Sequence, residues 1–204
     1  MPRKGLTKRR IIKAAIELIE KKGCSNFSMR ELADTLEIKT ASLYNHVKNI
    51  EEIYTEISYY AIALLRQVQL SAIEGKKADD AVFSLAVAYR MFAKEHPELY
   101  KLIMKLPTTK DILLERSGAH IVEPIMRVLS CYELSERQKF HWQRVLRSMM
   151  HGFISQEEAG FFNHLPIEAN ASYQIAIQCF LDGLHATIKE TVGTNGESDF
   201  NPRR

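Results

Sequence analysis

The chain has 204 residues, 46% of them hydrophobic and 26% charged, so it is long enough to bury a sizeable core without cross-links. Its net charge of +3 hides an asymmetry, because residues 1–50 carry 11 Lys or Arg against 5 Asp or Glu and the remainder carry 17 against 20. This pattern excludes a uniformly basic chain and predicts phosphate contact at one end, or else a solvated basic face without a partner.

Several classes of function are excluded by what the sequence lacks. Cys24, Cys131 and Cys179 have no metal-ligand or redox spacing, which predicts reduced thiols in the cytosol. The basic residues of the first helix leave no apolar leader, and no later stretch reaches the roughly 20 apolar residues that span a bilayer. No nucleophile elbow, phosphate loop or paired histidines indicate an enzyme. We therefore expect a cytoplasmic protein without catalytic activity, cofactor, metal or membrane contact.

The first predicted helix runs from a Thr7 cap to Lys22. Apolar side chains recur with helical spacing, and Gly23 can adopt the left-handed conformation that ends the helix. The predicted buried face consists of Ile12, Ala15, Ile16 and Ile19.

A second, short helix is predicted to begin at Ser28. The Ser28 hydroxyl can cap it while Glu31 reaches back to the Ser28 amide, which is a capping box. Leu32, Ala33 and Leu36 then form an apolar stripe.

A tight turn at Glu37 and Ile38 leads into a further short helix, for which Thr40 is the expected cap. Leu43 and Val47 face inward, so small and hydrogen-bonding side chains remain outside. Two short helices around a turn, the second able to approach base edges, are typical of a reader of the DNA major groove.

The rest of the chain is also predicted to be helical, with no strictly alternating stretch that would indicate a strand. Asn49 caps a long helix to about Ser71, which carries Ile53, Ile57, Tyr60, Leu64 and Val68, and a loop follows at 74–77. Further helices are expected at 78–94, 98–105, 110–131 (kinked or interrupted by Pro124), 135–158 (opened by a capping box and stopped by Gly160) and 170–192.

The predicted fold class is all-α, with about nine helices. We expect a three-helix helix-turn-helix domain at 1–48, a helical regulatory and dimerisation domain at 49–192, and a disordered tail at 193–204.

The segments Leu43-Tyr-Asn-His-Val47 and Phe27-Ser-Met-Arg-Glu-Leu-Ala33 resemble the DNA-binding domain of the tetracycline-repressor (TetR) family of bacterial transcriptional regulators. The resemblance runs from about Thr7 to Tyr54. Three positions depart from it, because the family usually has Gly where Glu37 stands, Phe where Val47 stands and a phosphate-binding Lys where Ile50 stands.

A second resemblance lies in the body of the chain. Residues 147–162, with His96-Pro-Glu-Leu-Tyr100 upstream, resemble the regulatory domain of the TetR subset named for a Trp-His-Gly triplet, although Met150 replaces the Trp.

The candidate DNA-binding residues follow from both kinds of argument. The resemblance assigns Tyr44 and His46 to phosphate contact, although Tyr44 could instead pack against the first helix. Arg3 and Lys4 could form a minor-groove arm or belong to a disordered tail. Other candidates, including the base-edge readers within 39–45, are Thr7, Ser28, Arg30, Lys39, Thr40, Ala41, Ser42 and Asn45.

The resemblance also implies a homodimer and an unknown small-molecule effector. Two apolar stripes on the last long helices (Trp142, Leu146, Met149, Phe153; Tyr173, Ile177, Phe180, Leu184, Ile188) are usually core, but by resemblance these helices pair across a two-fold axis. An effector pocket is expected between the 78–94, 111–131 and 135–158 helices. Its candidate residues, which core packing explains equally well, are Tyr89, Phe92, His120, Met126, Trp142, Met149, His151 and Phe153.

The predicted function is a homodimeric transcriptional repressor, released from a pseudo-palindromic double-stranded DNA operator by a small-molecule effector. The alternative is an all-helical protein-interaction and dimerisation module that has lost specific DNA binding, which the departures at Glu37 and Ile50 keep open.

Overall fold

The structure, a computed structural model, describes residues 5–105, 119–164 and 166–193, and all regular elements in these ranges are helical. They form α1 (Lys8–Lys22), α2 (Met29–Thr35), α3 (Thr40–Leu43), α4 (Ile50–Ile73), α5 (Ala78–Glu95), α6 (Pro97–Lys105), α7 (Ala119–Leu129), α8 (Glu136–Glu158) and α9 (Ala169–Gly193), with a one-turn 3₁₀ helix at Cys24–Asn26. The predicted all-helical fold class is confirmed.

The chain divides into two compact units. The first comprises Met1–Gln69 with Tyr89–Ile121, and the second Leu70–Ala88 with Val122–Arg204. Helices α4 and α5 contribute residues to both units. The functional boundary near residue 48 is a different kind of division and stays a prediction. In the ranges described, no helix is both long enough and apolar enough to cross a bilayer.

Helix α1 begins and ends where the sequence predicted, but the face that is buried differs from the predicted one. The Thr7 hydroxyl accepts a hydrogen bond from the Arg10 amide, and Gly23 has a φ of 85°. The buried side chains are Ile11, Ala15, Leu18 and Ile19, whereas Ile12 and Ile16 are only half-buried. The prediction that Ile12 and Ile16 belong to the core was wrong. Apolar residues on two adjacent faces of a helix recur with the same spacing, so the sequence alone does not show which face the packing buries.

The caps of α2 and α3 differ from those predicted. The Ser28 hydroxyl accepts from the Glu31 amide at 3.2 Å, but the Glu31 carboxylate binds the Lys22 ammonium instead of completing the capping box. Thr40 is the first residue of α3, and the residue at the cap position is Lys39, without a side-chain cap. The expected Thr40 cap was therefore wrong.

The turn between α2 and α3 is closed by a Schellman motif. The Ile38 amide donates to the Ala33 carbonyl at 3.0 Å and the Glu37 amide to the Asp34 carbonyl at 3.1 Å. Glu37 has a φ of 56°, which costs a residue with a Cβ about 1 to 2 kcal/mol. The backbone of Glu37 thus adopts the left-handed conformation that favours Gly, the residue common at this position in the family that the sequence resembles.

Helix α4 begins as predicted, because the Asn49 side chain accepts from the Glu52 amide at 2.9 Å. Its buried row continues from Ile53 and Ile57 to Ala61, Leu65 and Gln69. The predicted row through Tyr60, Leu64 and Val68 was wrong, and Tyr60 is 46% exposed. The sequence signal was misleading because the row that is buried contains a small residue and a polar one.

The remaining boundaries are close to the predicted ones. The capping box at Ser135 is complete, and Gly160 ends the following turn with a φ of 79°. Pro124 lies inside α7. Residues 106–118, which include the start of the predicted 110–131 helix, and the tail at 194–204 lie outside the described residues, and Gly193 ends α9.

The core of the second unit contains the apolar stripe of α9. Tyr173, Ile177, Phe180 and Leu184 are each at most 5% exposed. The Tyr173 hydroxyl donates to the Ala86 carbonyl at 2.8 Å. Phe153 lies between Phe162 and Tyr173, with ring centroids 4.9 and 4.8 Å away. The four α9 side chains are therefore buried within their own chain, so a dimer interface on α9 would need another face of that helix.

Candidate nucleic-acid interface

The segment 39–47 presents polar side chains because two apolar anchors fix its inner side. Leu43 is 0% exposed and Val47 2% exposed, as the sequence predicted. The His46 and Val47 amides both donate to the Leu43 carbonyl, at 2.9 and 3.0 Å, so helical bonding continues beyond α3. We call residues 39–46 the reading segment.

The outer side of the reading segment is accessible. Tyr44 is 54% exposed, so its ring is not part of the core, although phosphate contact by Tyr44 stays a prediction. The remaining members are exposed (Lys39, Ala41, Asn45, His46) or half-buried (Thr40, Ser42).

The other DNA candidates are distributed over the starts of α1 and α2. The Thr7 and Ser28 hydroxyls accept backbone hydrogen bonds as helix caps, and each keeps its own O–H to donate to an anion. Arg30 is exposed in the first turn of α2. Arg3 and Lys4 lie outside the described residues.

Glu52 connects the reading segment to α1, a role that sequence reasoning missed. One carboxylate oxygen accepts from the Lys48 amide at 2.7 Å, and the other accepts from the Lys8 ammonium at 2.6 Å. Lys8 also binds Glu56 at 2.7 Å. These bonds, Glu52 first, raise the pKa of Lys8, and the bond from Lys8 followed by that from the Lys48 amide lowers the pKa of Glu52. The spacing of Asn49 and Glu52 gave a local signal for a capping residue, but not for this contact with α1.

Glu98 of α6 holds the turn between α1 and α2. Its carboxylate accepts from the Cys24 amide at 2.7 Å and from the Lys101 ammonium at 2.6 Å. The Tyr54 hydroxyl donates to the Cys24 carbonyl at 3.2 Å, and His96 Nδ1 lies 2.6 Å from Glu20 Oε1. Sequence reasoning missed this contact, because 74 residues separate Glu98 from Cys24.

The pKa values at this turn reflect the same contacts. The hydrogen bond from Lys101, followed by that from the Cys24 amide, lowers the pKa of Glu98 to about 2. Burial, followed by hydrogen bonding to Glu98, raises the pKa of the Cys24 thiol to about 11. The thiol is therefore protonated at neutral pH and is a poor nucleophile.

The resembling family usually has a phosphate-binding Lys at the position of Ile50, and the structure offers Lys48 in its place. Ile50 is half-buried at the start of α4, whereas Lys48, two residues earlier, is exposed. The Lys48 side chain is thus a further candidate for phosphate contact that the sequence reading did not include.

The predicted effector residues are divided between the two units. In the first unit, Tyr89 and Phe92 are buried, and the Tyr89 hydroxyl lies 3.2 Å from that of Tyr100. The side chain of His120 lies outside the described residues. Those in the second unit are half-buried: Met126, Trp142, Met149, His151 and Phe153.

Cavities lined by described residues occur in the first unit, with volumes of about 780, 490 and 290 Å³. None of these three is lined by a predicted effector residue. The effector assignment therefore stays a prediction.

Two family profiles match the chain. The profile described as "Bacterial regulatory proteins, tetR family" matches residues 11–57, and "Tetracyclin repressor-like, C-terminal domain" matches residues 82–180. The first match includes α2, α3 and the reading segment.

Two relatives in sequence are described as uncharacterized HTH-type transcriptional regulators. YobS of Bacillus subtilis (strain 168) is 29% identical over 185 residues, which are 90% of this chain and 95% of YobS. Rv0681 of Mycobacterium tuberculosis is 29% identical over 167 residues, which are 80% of this chain and 76% of Rv0681.

Solved structures share the fold at low sequence identity. A Rhodococcus sp. RHA1 protein of unknown function has a TM-score of 0.73 at 20% identity, covering 90% of this chain and 98% of that one. ActR of Streptomyces coelicolor in complex with (S)-DNPA has a TM-score of 0.65 at 17% identity, covering 90% and 99%. A TetR variant from Acinetobacter baumannii AYE in complex with minocycline has a TM-score of 0.67 at 16% identity, covering 90% and 99%.

The low pKa of Glu98 predicts a pH-dependent contribution to stability. Because the value in the folded protein is about 2 and the ordinary value is 4.5, this contribution is present above about pH 4.5 and is lost as the pH falls from there towards 2. Glu98→Gln should lower the free energy of unfolding by on the order of 2 kcal/mol at pH 7 and by less at pH 3.5, measured by urea denaturation. The exposed Glu95→Gln is the control. An equal deficit of Glu98→Gln at both pH values would contradict the assignment.

Proposed function

Because the chain belongs to the tetR family of bacterial regulatory proteins, and so is a transcriptional regulator and not an enzyme, we propose that it is a homodimeric repressor of a pseudo-palindromic operator. The observation that supports this best is the exposed polar side of the reading segment above the buried Leu43 and Val47. In this geometry one short helix per subunit enters the major groove, and half-site spacing follows from the two-fold axis.

The proposed contacts are of two kinds. Tyr44, His46 and Lys48 contact phosphates, together with the caps of α1 and α2, and so fix the orientation of the protein on DNA. Lys39 and Asn45 reach base edges, because a Lys can bind guanine acceptors and an Asn can pair with adenine. The remaining proposed contact residues are Arg3, Lys4, Thr7, Ser28, Arg30, Thr40, Ala41 and Ser42.

The proposed dimer uses the outward faces of α8 and α9. On α8, Val145 is 49% exposed, and a Cβ added at Gly152 would meet no atom within 4 Å. On α9, Ile175 is 63% exposed and Cys179 lies one turn further along. Apolar and small side chains in such rows favour close packing against a second copy.

We propose that the second unit binds a small-molecule effector, with Met126, Trp142, Met149 and Phe153 as apolar contacts. Each is half-buried, so part of its surface remains accessible. Burial, followed by the nearby Arg147, lowers the pKa of His151, which favours a neutral imidazole as the polar contact. The complexes of ActR with (S)-DNPA and of TetR with minocycline support a small-molecule ligand. The other predicted effector residues, Tyr89, Phe92 and His120, belong to the first unit and stay predictions.

The finer likeness to the subset named for a Trp-His-Gly triplet stays a proposal. It is supported by residues 147–162 and 96–100, and by no feature of the fold that distinguishes one subset from another.

DNA binding should separate phosphate contacts from base contacts. We expect gel shifts with DNA from upstream of its own and neighbouring genes to be salt-sensitive. Tyr44→Ala should weaken binding to all fragments alike, whereas Asn45→Ala or Lys39→Ala should change sequence preference by about 1 to 3 kcal/mol per base contact. Tyr60→Ala, an exposed tyrosine away from the reading segment, is the control. The absence of salt-sensitive binding to any fragment would favour the protein-interaction module.

The dimer should be visible by sedimentation. At micromolar concentration we expect about twice the chain mass of 23.4 kDa. Ile175→Glu should yield monomers, because it places a charge in the proposed apolar interface. Met91→Glu introduces the same charge at a site that is 47% exposed on α5 and should leave the dimer intact. A wild-type monomer, or a dimer unaffected by Ile175→Glu, would contradict the proposed interface.

A further inference from the structure

The buried row of α4 contains one polar side chain, that of Gln69. The row runs through Ile57, Ala61 and Leu65, all buried and apolar, and Gln69 is 1% exposed. An amide in the core costs free energy unless its N–H and carbonyl groups are hydrogen-bonded. Among the residues that the structure describes, none is a hydrogen-bond partner of Gln69 Nε2. The core of the first unit therefore holds an amide donor whose bonding capacity is unused.

Other buried polar groups of the first unit do have partners. The hydroxyl of Ser58, also on α4 and 2% exposed, donates to the Tyr54 carbonyl at 2.8 Å. The buried hydroxyls of Tyr89 and Tyr100 lie 3.2 Å apart. Since nearly all buried polar atoms of folded proteins are hydrogen-bonded, an unpaired one marks a place where a further molecule completes the bonding. Gln69 is such a place.

The chemistry of the amide restricts what that molecule can be. Nε2 is a donor, so the partner must present an acceptor, which a cation does not do. A neutral amide supplies no counter-charge, so the burial of an anion beside it is costly. A single water needs roughly two to four polar partners, whereas the row that contains Gln69 is otherwise apolar. A neutral molecule with an acceptor oxygen meets these conditions best.

We propose that Gln69 is the polar contact of a binding site, in the core of the first unit, for a neutral and largely apolar molecule that carries a carbonyl or ether oxygen. Gln69 Nε2 would donate to that oxygen, and the apolar side chains of the same row would contact the body of the molecule. Gln69 belongs to the first unit, whereas the effector contacts proposed above belong to the second. The assignment therefore depends neither on those contacts nor on DNA binding.

The free protein provides the first half of the test. Gln69→Met replaces the amide with an apolar side chain of similar length, so it removes the unpaired group without opening a large cavity. We expect it to raise the melting temperature of the full chain, monitored by circular dichroism, by about 2 to 4 °C. Gln67→Met, at an exposed position of the same helix, is the matched control and should change it little. A lower melting temperature or loss of folding in Gln69→Met would show that the free protein already satisfies the amide, and would overturn the proposal.

The second half uses two neutral probes of nearly the same shape, acetophenone and isopropenylbenzene, which differ in a carbonyl oxygen against a methylene group. Titrated into the full chain and followed by saturation-transfer NMR, acetophenone should bind roughly fivefold more tightly to the wild type and to Gln67→Met. Gln69→Met should lose this preference. No difference between the probes with the wild type, or a preference that Gln69→Met retains, would overturn the proposal. A wild type that prefers acetophenone but binds no DNA would leave the site assigned and would instead contradict the proposed function.

Discussion

The carboxylate of Glu52 is the contact on which the position of the reading segment depends most. Helix α3 has only four residues, too few to hold its orientation by its own hydrogen bonds. Leu43 and Val47 anchor its inner side, but apolar contacts do not define the orientation of a helix as directional hydrogen bonds do. Glu52 supplies that orientation, because one oxygen binds the amide of Lys48, two residues after the reading segment, and the other binds the Lys8 ammonium at the start of α1.

A second carboxylate, that of Glu98, fixes the turn that precedes α2. Glu98 binds the Cys24 amide at the turn from α1 to α2, and Lys101 offsets its charge. Although 74 residues separate Glu98 from Cys24 along the chain, this hydrogen bond joins α6 to the turn that precedes α2. Glu98 and the turn that it holds both belong to the first unit, so this contact fixes the start of the helix pair within that unit.

The features that could be predicted from the sequence were the local ones. The Thr7 and Asn49 caps, the Ser135 capping box and the inward Leu43 and Val47 each depend on residues within one or two turns. The features that could not be predicted depend on distant neighbours. Periodicity did not distinguish Ile12 and Tyr60 from the adjacent buried rows, and no spacing rule pairs Glu98 with Cys24 across 74 residues. The α9 stripe was recognised, but the sequence left open whether its own chain or a second copy covers it, because that depends on distant neighbours.

The most direct test of this account compares the DNA affinities of Glu52→Gln and Glu51→Gln at one salt concentration. Both variants remove a negative charge from the first turn of α4. By electrostatics alone, each would bind DNA as tightly as the wild type or more tightly. We predict that Glu52→Gln remains folded but binds DNA roughly fivefold more weakly than the wild type, because the orientation of the reading segment is no longer fixed. Glu51→Gln should not weaken DNA binding. Equal or tighter DNA binding by Glu52→Gln would contradict it.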